Sequence, residues 1–134
     1  MTAKEFLRRA IKIRKEIDEI EQRIKEVRAS YMAPRAIQYN DMPKAHNSNH
    51  DLSDYVAKMD ELTDYMISKY TRLRGIEVDI YLRVDRMENQ QERECLRFRY
   101  IDGMTWTEIA DALDTTERNV YFIHGRALRH FPMD

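Results

Sequence analysis

Residues 100–128 read YIDGMTWTEIADALDTTERNVYFIHGRAL. Gly103 suits the left-handed conformation that stops a helix, so the helix that carries Leu96, Phe98 and Tyr100 is expected to end near Ile101-Asp102-Gly103. Thr105 then opens a second helix, with Glu108 completing a capping box, and Trp106, Ile109, Ala110 and Leu113 share one face of it. Asp114 and Thr115 supply a turn. Thr116 is placed to cap a last helix whose inward stripe is Val120, Ile123, His124, Ala127 and Leu128, and Pro132 follows its end. The spacing therefore predicts a short helix, a turn of about three residues and a longer helix.

Upstream, residues 2–31 carry Phe6, Ala10, Ile13, Ile17, Ile20, Ile24, Val27 and Tyr31, in steps that alternate between four and three. That is the spacing of a coiled-coil seam, and Thr2 with Glu5 has the capping-box pattern that would start such a helix. In a parallel homodimer the facing flank residues would be Arg9 with Arg14, Glu16 with Glu21 and Arg23 with Arg28. Each pair repels, which favours another helix or an antiparallel copy as partner. Residues 32–51, with Pro34 and Pro43, read as a long loop. After it Leu52, Tyr55, Met59, Leu62, Met66, Tyr70, Leu73, Ile76 and Ile80 again step by threes and fours, with a stutter at Leu62, Met66 and Tyr70. Gly75 marks a place for a bend or break. The expected architecture is all-α: a long antiparallel, coiled-coil-like helical hairpin for pairing or oligomerisation over residues 1–86, then a small domain over 87–134. The long loop leaves pairing within one chain and exchange between subunits both open.

Charged residues make up 35% of the chain while Gly and Pro number three each, a composition that favours solvent-lined helix. The single Cys95 excludes an internal disulfide and a cysteine-based zinc site; beside Glu94 and among apolar residues it reads as a partly buried thiol. The N-terminal stretch MTAKEFLRRAIKIRKEIDE is too charged for a signal peptide, and no apolar run is long enough for a membrane span. A cytoplasmic protein is expected. No Gly-rich phosphate loop, nucleophile motif or H-E-x-x-H pattern points to an enzyme, and no cofactor is implied. His46, His50 and Asp51 have metal-binding chemistry, but beside Pro43 they read as a solvated loop rather than a metal site.

A short helix, a tight turn and a longer helix, with Ala110 at the close-contact position and Val120 in the second helix, make the helix-turn-helix arrangement. More specifically, LRFRYIDGMTWTEIADALDTTERNVYFIHGRAL resembles region 4 of sigma-70-type factors, through Tyr100, Gly103, Glu108, Ile109, Ala110, Leu113, Val120, Arg126, Ala127 and Leu128. With its preceding long helices the chain also resembles small region-4-like regulators of phages and prophages of Gram-positive bacteria, of the ArpU and RinA late-transcription type. The resemblance implies double-stranded DNA as ligand, transcription control in a bacterial host cell, and host RNA polymerase as a further partner. Three positions depart from the pattern: Asp114 stands where Gly is common, Thr115 where an apolar residue is usual, and His124 where leucine is expected. Nothing resembles the promoter-melting region of a complete sigma factor.

With its stripe turned inward, the last helix would present Glu117, Arg118, Tyr121, Phe122, Gly125, Arg126 and Arg129 outward. Arg118, with Asn119 or Tyr121, is assigned to base edges, since Arg pairs bidentately with guanine and Asn with adenine. Arg126, Arg129 and the helix start capped by Thr116 are assigned to phosphate. The candidate DNA-binding set is Thr116, Glu117, Arg118, Asn119, Tyr121, Phe122, Arg126 and Arg129; a protein-partner surface is the lesser alternative for Tyr121 and Phe122. Residues 1–31 hold nine Lys/Arg and six Asp/Glu, but residues 87–134 hold six and nine. A single head is thus expected to bind weakly and salt-sensitively, and to need a homodimer or homotetramer or a DNA-bound partner. A small terminase-like DNA-packaging subunit and a protein-interaction module with a degenerate helix-turn-helix are the competing readings.

Overall fold

The computed structural model describes residues 1–33 and 47–134, without the side chains of 47–51. Its helices are α1 (Ala3–Met32), α2 (Asn47–Asp85), α3 (Gln90–Tyr100), α4 (Trp106–Ala112) and α5 (Glu117–His130), with no strand among the described residues. The chain is all-α, as expected: a long helix pair followed by three short helices.

Local chemistry starts these helices. The Thr2 amide donates to Glu5 Oε2 at 3.0 Å and the Glu5 amide donates to Thr2 Oγ1 at 3.2 Å, so two helix-end donors are satisfied reciprocally. Asn89 caps α3, its side chain accepting from the Glu92 amide at 3.0 Å. Two expectations about α2 are corrected. It begins at Asn47, inside the predicted 32–51 loop. The polar run Asn47–Asp51 contains neither Pro nor Gly, and extending an established helix by such residues costs only a few tenths of a kcal/mol each. Gly75 does not break α2 either; it is exposed, and Leu73 and Ile76 on either side are buried.

The chain divides into two compact units. The first comprises Glu16–Tyr70. In it Lys69 Nζ meets Glu16 Oε2 at 2.8 Å, the Tyr70 hydroxyl donates to Glu21 at 2.9 Å, and the Tyr31 and Tyr55 rings stack at 4.1 Å. The partners of Glu16 and Glu21 are residues 69 and 70 and that of Tyr31 is residue 55, so the two segments run antiparallel within one chain. Ile17 and Ile20 are buried; Ile24, Val27, Tyr31, Tyr55, Met59, Leu62 and Met66 are half-buried. Tyr70, expected in the seam, is 44% exposed. Two successive steps of four from Leu62 rotate a position by about 80° around a helix of 3.6 residues per turn, which carries Tyr70 out of line with Leu62.

The second unit combines Met1–Lys15 with Thr71–Asp134. Again α1 and α2 are antiparallel: Arg14 pairs with Glu77 at 2.9 Å, and the Arg83 guanidinium lies 4.6 Å from the Phe6 ring. Phe6, Ala10 and Ile13 are buried as the seam predicts, and so is Leu7, which is off the seam. A second face of α1 is therefore covered, in a unit whose other elements are α3, α4 and α5. Contacts show how: Arg14 Nη2 donates to the Ile101 carbonyl at 2.6 Å, Phe131 packs on Phe6 at 5.7 Å, and Arg83 donates to the Pro132 carbonyl at 2.8 Å.

Candidate nucleic-acid interface

The last three helices are joined by backbone turns of the predicted kind. At the end of α3 the amides of Ile101 and Asp102 both donate to the Arg97 carbonyl at 3.0 Å, and Gly103 takes φ +70°. Thr105 caps α4: its Oγ1 accepts from the Glu108 amide at 3.2 Å and its hydroxyl donates to the Glu108 carboxylate at 3.1 Å. The turn after α4 places Asp114 at φ +53°, a left-handed position at which a side chain costs roughly 1 kcal/mol and Asp is tolerated better than most residues. The Thr115 amide closes the turn on the Ala110 carbonyl at 2.9 Å, and Thr116 Oγ1 accepts from the Asn119 amide at 3.1 Å to start α5.

Beneath the turn lies a small core of Cys95, Ile109, Ala110, Val120 and Ile123, with Phe98, Met104, Trp106 and Leu113 packed against it. Cys95 is fully buried rather than partly so, and burial pushes its thiol pKa up to about 11. Trp106 packs against this core as expected, with the Arg99 guanidinium 4.3 Å from its ring. His124 fits the apolar stripe by pairing its polar atoms: Nε2 shares a 2.7 Å hydrogen bond with the buried Tyr100 hydroxyl, and the ring meets Trp106 edge-on at 4.8 Å. Burial, then the positive charges of Arg99, Lys4 and Arg8, hold its pKa down at about 4. Thr115 is half-buried and its hydroxyl accepts from the Asn119 side chain at 2.9 Å.

All eight predicted DNA-binding residues are exposed: Arg118, Phe122 and Arg129 lie on the side of α5 opposite Val120, Ile123 and Ala127, Glu117, Asn119, Tyr121 and Arg126 lie at the edges of that side, and Thr116 precedes the helix as its cap. Asn119, Tyr121, Phe122, Arg126 and Arg129 come together around Gly125 as the lining of a shallow depression. Four of the eight are engaged locally. Thr116 caps the helix, Glu117 accepts from the Thr107 hydroxyl, Asn119 holds Thr115, and the Tyr121 ring lies 5.2 Å from that of Trp106. The Glu117 carboxylate also occupies the positive end of α5, where it competes with any phosphate. Arg118, Arg126 and Arg129 form no ion pair with a described residue.

Two features of this site were not anticipated. Glu92 is only 3% exposed and its Oε1 meets His130 Nδ1 at 2.6 Å, tying the start of α3 to the end of α5. Arg14 of α1 holds the α3–α4 turn through Ile101. Neither has a local signature, because both join residues far apart in sequence.

Residues 89–131 match the family model for Sigma-70, region 4. The matched segment is thus similar to sigma-70 region 4, and α4, the turn and α5 within it have the helix-turn-helix order. No curated protein and no solved structure matches the chain. Among the described residues no helix is long and apolar enough to cross a membrane, and no group of three or more His, Cys, Asp or Glu is placed to hold a metal. The His46, His50 and Asp51 group lies outside the residues whose side chains are described.

Proposed function

We propose that the protein is a transcriptional regulator of a phage or mobile element that reads promoter DNA through α5 and cooperates with host RNA polymerase in the bacterial cytoplasm. The observation that carries this reading is the two-sidedness of α5 within a region 4-like segment. Val120, Ile123 and Ala127 are fully buried, while Arg118 and Arg129 reach solvent on the other side and Arg126 at its edge. Arg118 is assigned to a guanine edge, Asn119 to adenine once it releases Thr115, and Arg126 and Arg129 to phosphate. Residues 87–134 are the reading domain, and residues 1–86 support it and mediate association into a dimer or tetramer. The phage assignment rests on the resemblance to regulators of the ArpU and RinA type, which pair long helices with such a head. Phe122, 62% exposed beside Tyr121 at 51%, supports an additional protein contact, for which polymerase is the natural candidate.

The test is binding of the protein to its own upstream DNA at several salt concentrations, with wild type and the Arg118→Ala/Arg126→Ala variant. Loss of a bidentate base contact is worth roughly 1–3 kcal/mol of discrimination, so the variant is expected to bind the preferred sequence about 5- to 150-fold more weakly. Equal affinities would reject α5 as the reading helix. A second reading, a protein-interaction module, draws on the same exposed Phe122 and Tyr121; DNA binding by wild type argues against it.

A further inference from the structure

The region 4-like segment alone is a poor polyanion binder, because residues 87–134 carry six Lys/Arg against nine Asp/Glu. The compact unit it belongs to is different. Thr71–Asp134 holds ten Lys/Arg and twelve Asp/Glu, a balance of −2, whereas Met1–Lys15 holds six and one, a balance of +5. The unit is thus +3, and the first four turns of α1 set its sign. Glu16–Tyr70, with seven Lys/Arg and eleven Asp/Glu, is −4. Net charge of the whole chain, −1, conceals this segregation.

The positive charge on α1 is also directional. Lys4, Arg8, Lys12 and Lys15 are spaced by four, four and three, so they share one helix face, opposite the buried Phe6, Ala10 and Ile13. All four are exposed, and none forms an ion pair with a described residue. Glu5, the one acidic residue in Met1–Lys15, is occupied by the Thr2 amide. A purely solvated helix face usually mixes signs; this one does not. The helix that carries the stripe is also joined to the reading head: Phe6 packs on Phe131 at 5.7 Å, and Arg14 donates to the Ile101 carbonyl at 2.6 Å.

We propose that the Lys4, Arg8, Lys12, Lys15 face of α1 is a second phosphate-contacting surface, which grips the backbone of the same duplex that α5 reads. The proposal rests on the reading of α5 given above and adds to it a division of labour. The stripe supplies sequence-independent affinity, and α5 supplies selection. From Lys4 to Lys15 the face runs about 16 Å at 1.5 Å per residue, which matches on the order of five phosphates of one strand measured along the duplex axis.

The experiment compares full-length wild type, the quadruple variant Lys4→Gln/Arg8→Gln/Lys12→Gln/Lys15→Gln, and Arg118→Ala/Arg126→Ala. Each is titrated at several salt concentrations against its own upstream duplex and an unrelated duplex of equal length. Circular dichroism confirms that the exposed substitutions leave the helices intact. Each neutralised phosphate contributes about 0.9 to the slope of log affinity against log salt. The quadruple variant is expected to lower that slope by about two to three on both duplexes while leaving the ratio of the two affinities unchanged. The α5 variant is expected to reduce the ratio. An unchanged slope in the quadruple variant, with wild type binding DNA and the α5 variant losing discrimination, overturns the α1 surface alone. A lowered slope with no effect of the α5 substitutions supports the α1 surface and removes the reading of α5. Wild type that binds neither duplex overturns both.

Discussion

At position 124 an imidazole stands where the α5 stripe calls for an aliphatic side chain, and its surroundings keep it uncharged. With a folded pKa of about 4 against an ordinary 6.5, His124 takes up a proton more readily in the unfolded chain. Its contribution to stability is complete above about pH 6.5 and is lost as pH falls from there toward 4; the full effect is on the order of 3 kcal/mol at most. Urea unfolding at pH 7 and pH 4.5 should show this loss, and His124→Leu should reduce it. At pH 7 His124→Leu leaves the buried Tyr100 hydroxyl without its partner and is expected to cost about 1–3 kcal/mol, recovered in part by adding Tyr100→Phe. Gly125 gives a prediction of the opposite sign. A Cβ there meets nothing within 4 Å, so Gly125→Ala should stabilise the fold by about 0.5–1 kcal/mol through helix propensity. The same methyl projects into the depression between Tyr121, Phe122, Arg126 and Arg129, so a melting curve that improves while DNA affinity falls is the expected pair of results.

At the scale of elements, Arg14 joins three of them, since it reaches Glu77 on α2 and the Ile101 carbonyl after α3 from its place on α1. Its removal is expected to destabilise by about 1–3 kcal/mol, measured by denaturant unfolding of Arg14→Ala. Arg14→Lys should recover little of this, because a single ammonium does not reproduce the planar fork of the guanidinium. The contrast with the caps explains what was legible in the sequence. Thr2 with Glu5, Thr105 with Glu108, and Thr116 are separated from their partners by three residues or act within one turn, so residue types alone reveal them. The seam from Phe6 to Ile20 is legible for the same reason, as is the outward placement of Arg118, Phe122 and Arg126. Leu7, Arg14 and Glu92 owe their burial or their partners to elements tens of residues away, and no local period encodes that. The face formed by Lys4, Arg8, Lys12 and Lys15 was not singled out in the sequence, because its relevance to the reading head required knowing that α1 belongs to the same unit.

For the whole molecule, the match over residues 89–131 understates what the head requires. Phe6, Arg14 and Arg83 lie outside it, yet they contact Phe131, the Ile101 carbonyl and the Pro132 carbonyl. A fragment limited to residues 87–134 is therefore expected to lose cooperative thermal unfolding, which differential scanning calorimetry against the full chain would reveal. The same arrangement bears on biosynthesis. Leu7 and Ala10 are made well before the Thr71–Asp134 segment that completes their unit, so these apolar side chains wait without that cover while the intervening stretch is decoded. A nascent chain that stalls before α3 to α5 are made therefore keeps those side chains exposed and is prone to chaperone capture.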